Sequence, residues 1–211
     1  MDPAESQRID IVTEDARRKL GNALMSTTVS IERVSTLKDG VTLPGGLNAP
    51  RKGWLFLGKY VFTASFGLVA GPYEASVTFT VNAMGRKSRA RVVASDVRIG
   101  AAVLVLENPF NPPPTISTVR RKPSDIWLGR PGFALLNGDV PTRLLFALPR
   151  AGDFEYYWRL SGQLPLGTPV TDAHGTLLSF VGMHHPTVPM LSLVLPTSAL
   201  KWCLDQIGQL K

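Results

Sequence analysis

Gly53-Trp54-Leu55-Phe56-Leu57-Gly58-Lys59-Tyr60-Val61-Phe62-Thr63 is two short apolar runs joined by a glycine-containing turn. Aromatic and aliphatic residues fill both runs and suit a pleated, half-buried surface, so the stretch predicts a β-hairpin turning at Gly58-Lys59. Upstream, residues 25 to 34 are rich in β-branched side chains and predict another strand, separated from the hairpin by the loop of Pro44-Gly45-Gly46 and Pro50. Downstream, the alternation of Val77-Thr78-Phe79-Thr80-Val81 marks a half-buried strand. Arg89 to Val93 and Ala102 to Leu106 supply two more, the latter almost wholly apolar, as in a strand buried on both faces.

Asn108-Pro109-Phe110-Asn111-Pro112-Pro113-Pro114 is too proline-rich to pair as a central strand, so it predicts a crossover to a second group of strands. That group is expected at 132–136, 143–148, 155–160, 169–171, 176–181 and 190–195. Ala16, Leu20 and Leu24 lie four apart after Glu14 and Asp15, which predicts a short amphipathic helix packed on the first group. Leu200, Cys203, Leu204 and Ile207 share a face after Thr197-Ser198, a helix start signal, and predict a closing helix.

The chain has 211 residues, 44% of them hydrophobic, enough for a large core within one domain. Nineteen glycines and seventeen prolines scattered between short apolar runs fit many tight turns between many strands. No run of eighteen apolar residues occurs, and the polar start Met1-Asp2-Pro3-Ala4-Glu5 lacks the charged-then-apolar pattern of a signal peptide. Neither a membrane span nor a leader is therefore expected, and the compartment is left open. The single cysteine, Cys203, excludes an intrachain disulfide and a cysteine metal cluster, and its apolar position predicts a small buried side chain. Two basic clusters, Arg86-Lys87-Ser88-Arg89-Ala90-Arg91 and Arg120-Arg121-Lys122, contribute to a net charge of +7. Such clusters can hold nucleic acid, but no aromatic residues interleave with them to stack on bases, and solvated strand edges are the expected reading.

Four stretches in order carry a resemblance to one family. Gly58 to Phe66 resembles the glycine-tyrosine-hydrophobic-hydrophobic-threonine-x-alanine-histidine stretch of trypsin-like serine proteases of the HtrA type, with Phe66 at the histidine. Ala90 to Leu104 is similar to their strand ending in aspartate-leucine-alanine-hydrophobic-leucine, with Gly100 at the aspartate. Leu164-Pro165-Leu166-Gly167-Thr168-Pro169-Val170 resembles glycine-asparagine-serine-glycine-glycine-proline-leucine, with Leu166 at the nucleophilic serine. Ser192 to Ser198 looks like the segment that leads into the family's C-terminal helix. The resemblance implies an all-β fold of two six-stranded antiparallel β-barrels, with a short N-terminal helix and a C-terminal helix. Its parts would be an N-terminal tail and helix (1–22), a first barrel (23–107), a crossover (108–131), a second barrel (132–197) and a closing helix (198–211). The family's peptide-binding PDZ domains and its trimeric assembly are not carried over to this chain.

What the substitutions imply is a loss of chemistry. Acyl transfer by this mechanism needs a hydroxyl nucleophile, an imidazole base and a carboxylate to orient it, and Phe66, Leu166 and Gly100 supply none of them. Leu164 and Thr168 replace the glycines of the turn whose backbone N–H groups stabilise the oxyanion, and Pro165 has no N–H, so that turn is expected to be spoiled. Phe66 and Leu166 would form an apolar plug if they met as the histidine and serine do. The implied role is a catalytically inactive protease homologue that binds a protein partner, without a cofactor.

Other readings attach to particular residues. Ser161-Gly162 could imitate a nucleophile with His174 or His184 as base, giving an active hydrolase with a rearranged site. Tyr156, Tyr157 and Trp158 precede the altered nucleophile loop; their strand could take a partner peptide as an added strand, against the plainer role of core packing. His184 and His185 point to opposite faces of a strand, so one metal would reach only one of them easily; a metal site there needs a ligand from elsewhere. His174, in the turn Asp172-Ala173-His174-Gly175, is expected to be exposed.

Overall fold

A computed structural model describes residues 14–44, 51–111, 131–136, 141–147, 158–161, 163–184 and 191–209. The first helix, α1 (Glu14–Thr27), opens with two acidic residues that favour the positive end of the helix dipole, and it buries Leu20 and Leu24. Seven strands follow: β1 (Thr28–Leu37), β2 (Thr42–Pro44), β3 (Arg51–Phe56), β4 (Tyr60–Ala64), β5 (Glu74–Ala83), β6 (Arg86–Asp96) and β7 (Ala101–Leu106). They form one antiparallel sheet in the order β2-β1-β3-β4-β7-β6-β5, and β5 pairs back onto β1, which closes the ring. Next come β8 (Pro131–Ala134), β9 (Thr142–Ala147), β10 (Trp158–Ser161), β11 (Pro169–Thr171), β12 (Leu177–His184) and β13 (Leu191–Val194). These close a second barrel in the order β10-β13-β12-β11-β8-β9. Helix α2 (Thr197–Gln209) ends the described chain. The architecture is the two-barrel fold of chymotrypsin-like proteases.

The β3–β4 hairpin forms as expected, but its turn lies one residue earlier. Lys59 N–H donates to Phe56 O at 3.2 Å, and the two central residues, Leu57 (φ 53°) and Gly58 (φ 67°), are both left-handed. The paired Phe56 and Tyr60 enclose the three residues 57–59, and a leucine adopts the left-handed conformation at a cost of about 1 kcal/mol. Met84-Gly85, left-handed at both residues, forms the two-residue turn of the β5–β6 hairpin.

Strand β7 shows why an unbroken apolar run was needed. Ala102, Leu104 and Leu106 point into the first barrel with Val61, Leu55 and Phe79. Ala101 and Val103 point outward, into a cluster with Trp54, Phe62, Phe133, Phe180 and the inner faces of both helices. This second cluster is the seam between the barrels, and Cys203 is fully buried in it, with its thiol pKa pushed well up by burial. The second barrel has its own core around Leu160, Val170, Leu178, Val181 and Val194.

Candidate functional site

The backbones at the three positions that the resemblance sets at a catalytic triad are linked through one connected set of hydrogen bonds. Ala64 of β4 pairs with Ala101 of β7, and just beyond them Ser65 N–H donates to Gly100 O at 2.9 Å, which sets Phe66 beside Gly100. The second barrel is joined at β3: Lys52 N–H donates to Leu166 O at 2.8 Å. Its neighbour Arg51 completes the link, donating to Ala64 O at 2.6 Å and to Phe66 O.

The side chains at these positions do not form a plug. Phe66 is 62% exposed and belongs to none of the three cores. Leu166 instead turns toward the second barrel, half-buried against the core that contains Leu164. The expected apolar seal is therefore corrected to two separate placements. The reason is local: Arg51 holds the Phe66 carbonyl inward, and the ring is left to project away. Gly100 is in a left-handed conformation (φ 80°), which glycine adopts without steric cost.

The turn at 164–168 is tied down on nearly every donor. Leu164 N–H donates to Ser192 Oγ at 2.9 Å, and Leu164 O lies 2.7 Å from His184 Nε2, which as the donor must carry the proton. Pro165 has no N–H. Gly167 N–H donates to Val181 O at 2.7 Å, and both the N–H and the hydroxyl of Thr168 turn back to Pro165 O at 3.1 and 2.6 Å. That leaves the Leu166 N–H as the one amide of the turn without a protein acceptor among the described residues. Gly167 (φ 75°) is there for space: a Cβ on it would lie 2.0 Å from Lys52 O and 2.3 Å from Thr63 Oγ1.

Sequence reasoning missed Arg51 and Lys52, the residues that stitch the site together. Lys52 Nζ caps Leu135 O and, at 2.8 Å, Leu136 O, so its side chain bridges the barrels. Neither cation has a carboxylate within ion-pair distance among the described residues. Burial and the nearby Arg33 depress the Arg51 pKa to about 10, and burial lowers that of Lys52. Two adjacent basic residues opening an otherwise apolar strand were a visible signal, since such side chains enter a barrel rim only where carbonyls receive them.

The remaining candidates separate. His174 is exposed in its turn, as expected, with its N–H donating to Asp172 Oδ1 at 2.8 Å. His184 spends Nε2 on Leu164 O, and among the described residues no three His, Cys, Asp or Glu side chains gather as a metal site. His185, Tyr156 and Tyr157, and the cluster Arg120-Arg121-Lys122, lie outside the described residues. Trp158 and Ser161 are in β10, which pairs with β13 on one side and β9 on the other. Arg159 and Leu160 are therefore paired on both sides, while Tyr156 and Tyr157, on which the expectation of an added strand rests, lie outside the described residues. On β6, Lys87, Arg89 and Arg91 alternate outward, and Glu32 stands 4.0 Å from Lys87. An apolar groove of ≈ 540 Å³ lies elsewhere, between the hairpin tip at Phe56 and Leu57 and the α2 residues Leu204 and Ile207.

No family model matches the chain, and no curated protein matches it. Solved structures do. The Rv3671c protease of M. tuberculosis in its active form is 20% identical, with a TM-score of 0.61 over 98% of this chain and 87% of that one. Its inactive form gives 20% identity and a TM-score of 0.59 over 98% and 96% of the two chains. A serine-to-alanine mutant of the M. tuberculosis H37Rv protein, also in an inactive form, gives 19% and 0.60 over 99% and 94%. The likeness runs through the whole chain and identifies its fold as that of a trypsin-like serine protease.

Proposed function

We propose that this chain is a non-catalytic homologue of trypsin-like proteases, of the HtrA type, that works as a protein-binding or scaffold module. The observation that carries the reading is that one set of hydrogen bonds links the backbones at Phe66, Gly100 and Leu166, the positions that the resemblance sets at the triad. A phenyl ring, a hydrogen and an isobutyl group have no transferable proton and no nucleophilic lone pair, so the loss is one of kind. The geometry around them supports the same reading. Of the two backbone donors that would flank a nucleophile at 166, the Leu164 N–H is already bonded to Ser192 Oγ, which leaves half an oxyanion hole. Ser161 gives little support to a rearranged hydrolase, because it is a ladder residue opposite Leu191.

A fluorophosphonate probe and casein turnover test this together. The expected result is no labelling and no hydrolysis; covalent labelling at Ser161 would sink the non-catalytic reading.

A further inference from the structure

Strand β6 carries Lys87, Arg89 and Arg91 at alternate positions, all exposed, with the buried Ser88 and Ala90 between them. β6 is an interior strand of its sheet. Asn82 and Thr80 of β5 pair with Lys87 and Arg89 on one side, and Val105 of β7 pairs with Arg91 on the other. These cations therefore stand on a sheet face and not on the solvated edge that the sequence suggested. A paired strand fixes their spacing: alternate side chains recur about every 6.8 Å, so the row is about 14 Å long. The guanidinium groups of Arg89 and Arg91 have no hydrogen bond or ion pair among the described residues, and Lys87 meets only Glu32, at 4.0 Å. Arg86 adds a fourth cation at the start of the strand, over the Phe110 ring at 5.2 Å and donating to Asn111 O.

The neighbouring side chains say what fits this row. Across the sheet from Lys87 lie Asn82 and then Ser30 of β1, and across from Arg89 lies Thr80. Amides and hydroxyls, together with Arg and Lys, are the groups that contact phosphate oxygens. These two cross-strand rows hold no aromatic or large aliphatic side chain, so they offer neither a stacking platform for unpaired bases nor an apolar anchor for a protein partner. Two carboxylates border the patch: Glu32, beyond Thr80 in the row of Arg89, and the exposed Glu107, whose N–H donates to Arg89 O at 2.9 Å. Against four cations they leave the patch positive, and they limit its affinity. Regularly spaced positive charge among hydrogen-bonding neighbours complements the backbone of a duplex, which carries a phosphate about every 3.4 Å along each strand.

We propose that the outer face of β6 binds the phosphate backbone of duplex nucleic acid without reading its sequence. This goes beyond the protein-binding reading, and either can fail alone. The test is titration of a fluorescent DNA duplex of about 20 base pairs, followed by anisotropy between about 50 and 200 mM salt. Three phosphate contacts predict a slope of about −2.7 in log affinity against log salt, which is about a fortyfold loss across that range. K87Q/R89Q/R91Q should weaken binding by about tenfold or more and flatten the slope. K38Q/R98Q/K201Q removes the same charge at exposed positions outside the row and should leave the slope unchanged. All six positions are exposed, and an unchanged unfolding midpoint verifies each variant's fold. E32Q should tighten binding, and duplexes of different sequence should bind alike. Absence of duplex binding, or an equal loss in the two triple variants, overturns the proposal. Tighter binding of the single strand, of poly-glutamate or of phosphatidylserine vesicles than of the duplex, lost in K87Q/R89Q/R91Q, also overturns it by assigning the face to another polyanion. Fluorophosphonate labelling would overturn the non-catalytic reading and leave this one standing.

Discussion

Gly167→Ala isolates what the turn at 164–168 contributes to joining the barrels. Two costs combine. A Cβ at φ 75° puts a side chain in the left-handed region, at about 1 kcal/mol. The same Cβ would stand 2.0 Å from Lys52 O and 2.3 Å from Thr63 Oγ1, contacts that real side chains do not make, so β3 and the turn must separate. Separation breaks Lys52 N–H to Leu166 O (2.8 Å) and strains Thr63 Oγ1 to Lys52 O (2.7 Å). Leaving buried groups unpaired costs about 1–3 kcal/mol each, so the total is roughly 4 kcal/mol. Gly40→Ala is the control: its φ is 87° and nothing lies within 4 Å of its Cβ, which leaves the conformational cost alone. Urea unfolding followed by tryptophan fluorescence reads the difference. At a slope of about 2–3 kcal/mol per molar, the midpoint should fall by roughly 1.5 M for Gly167→Ala and by under about 0.5 M for Gly40→Ala. Equal shifts in the two variants would refute the claim that this turn is held by close approach to β3.

Three further outcomes follow from named contacts. The Glu74 carboxyl is lowered from 4.5 to about 2, chiefly by the Arg33 hydrogen bonds and then by Gly71 N–H. The fold favours the ionised form, so the advantage of wild type over Glu74→Gln should be complete above pH 4.5 and shrink as pH falls toward 2; thermal melts showing a gap constant with pH would contradict this. Cys203 is fully buried with a raised thiol pKa, so a thiol reagent at neutral pH should modify it only as fast as the protein opens, and prompt modification of the native protein would show the seam to be loose. The graft F66H/G100D/L166S should remain unlabelled by a fluorophosphonate, because the Leu164 N–H stays on Ser192 Oγ and leaves the oxyanion one donor short; strong labelling would show that the turn was never spoiled.

Strand identity was legible where burial imposes a pattern. Val77 to Val81 alternates because one face of β5 meets the core, and Ala101 to Leu106 is apolar throughout because β7 is covered on both sides. The site was legible only in its residue types. Phe66 reads as a side chain for the interior, yet its placement is decided by a guanidinium fifteen residues earlier that takes its carbonyl. No local pattern encodes a bond between Arg51 and Phe66, or between Lys52 and the Leu135 and Leu136 carbonyls of the other barrel. Hydrophobicity ranks how well a residue tolerates burial, whereas hydrogen bonds to the backbone fix which way the chain faces.

That distinction bears on the turn at 164–168. By the resemblance Gly167 and Pro169 fall at the glycine and proline of a nucleophile turn, and Gly167 stands where β3 approaches too closely for any side chain. Leu164 and Leu166 depart from it, and both are apolar additions to the core of the second barrel, where burying a leucine contributes about 2 kcal/mol. A catalytic turn must keep donors unpaired and polar groups exposed, at a cost in stability; here the Leu164 amide is paired and the side chains are packed. The turn is part of the join between the barrels, through Lys52 N–H on Leu166 O and the close approach of Gly167 to β3. The exposed apolar surface lies instead at Phe66, so the reading of a filled cleft gives way to one of a sealed second barrel facing an open, decorated first.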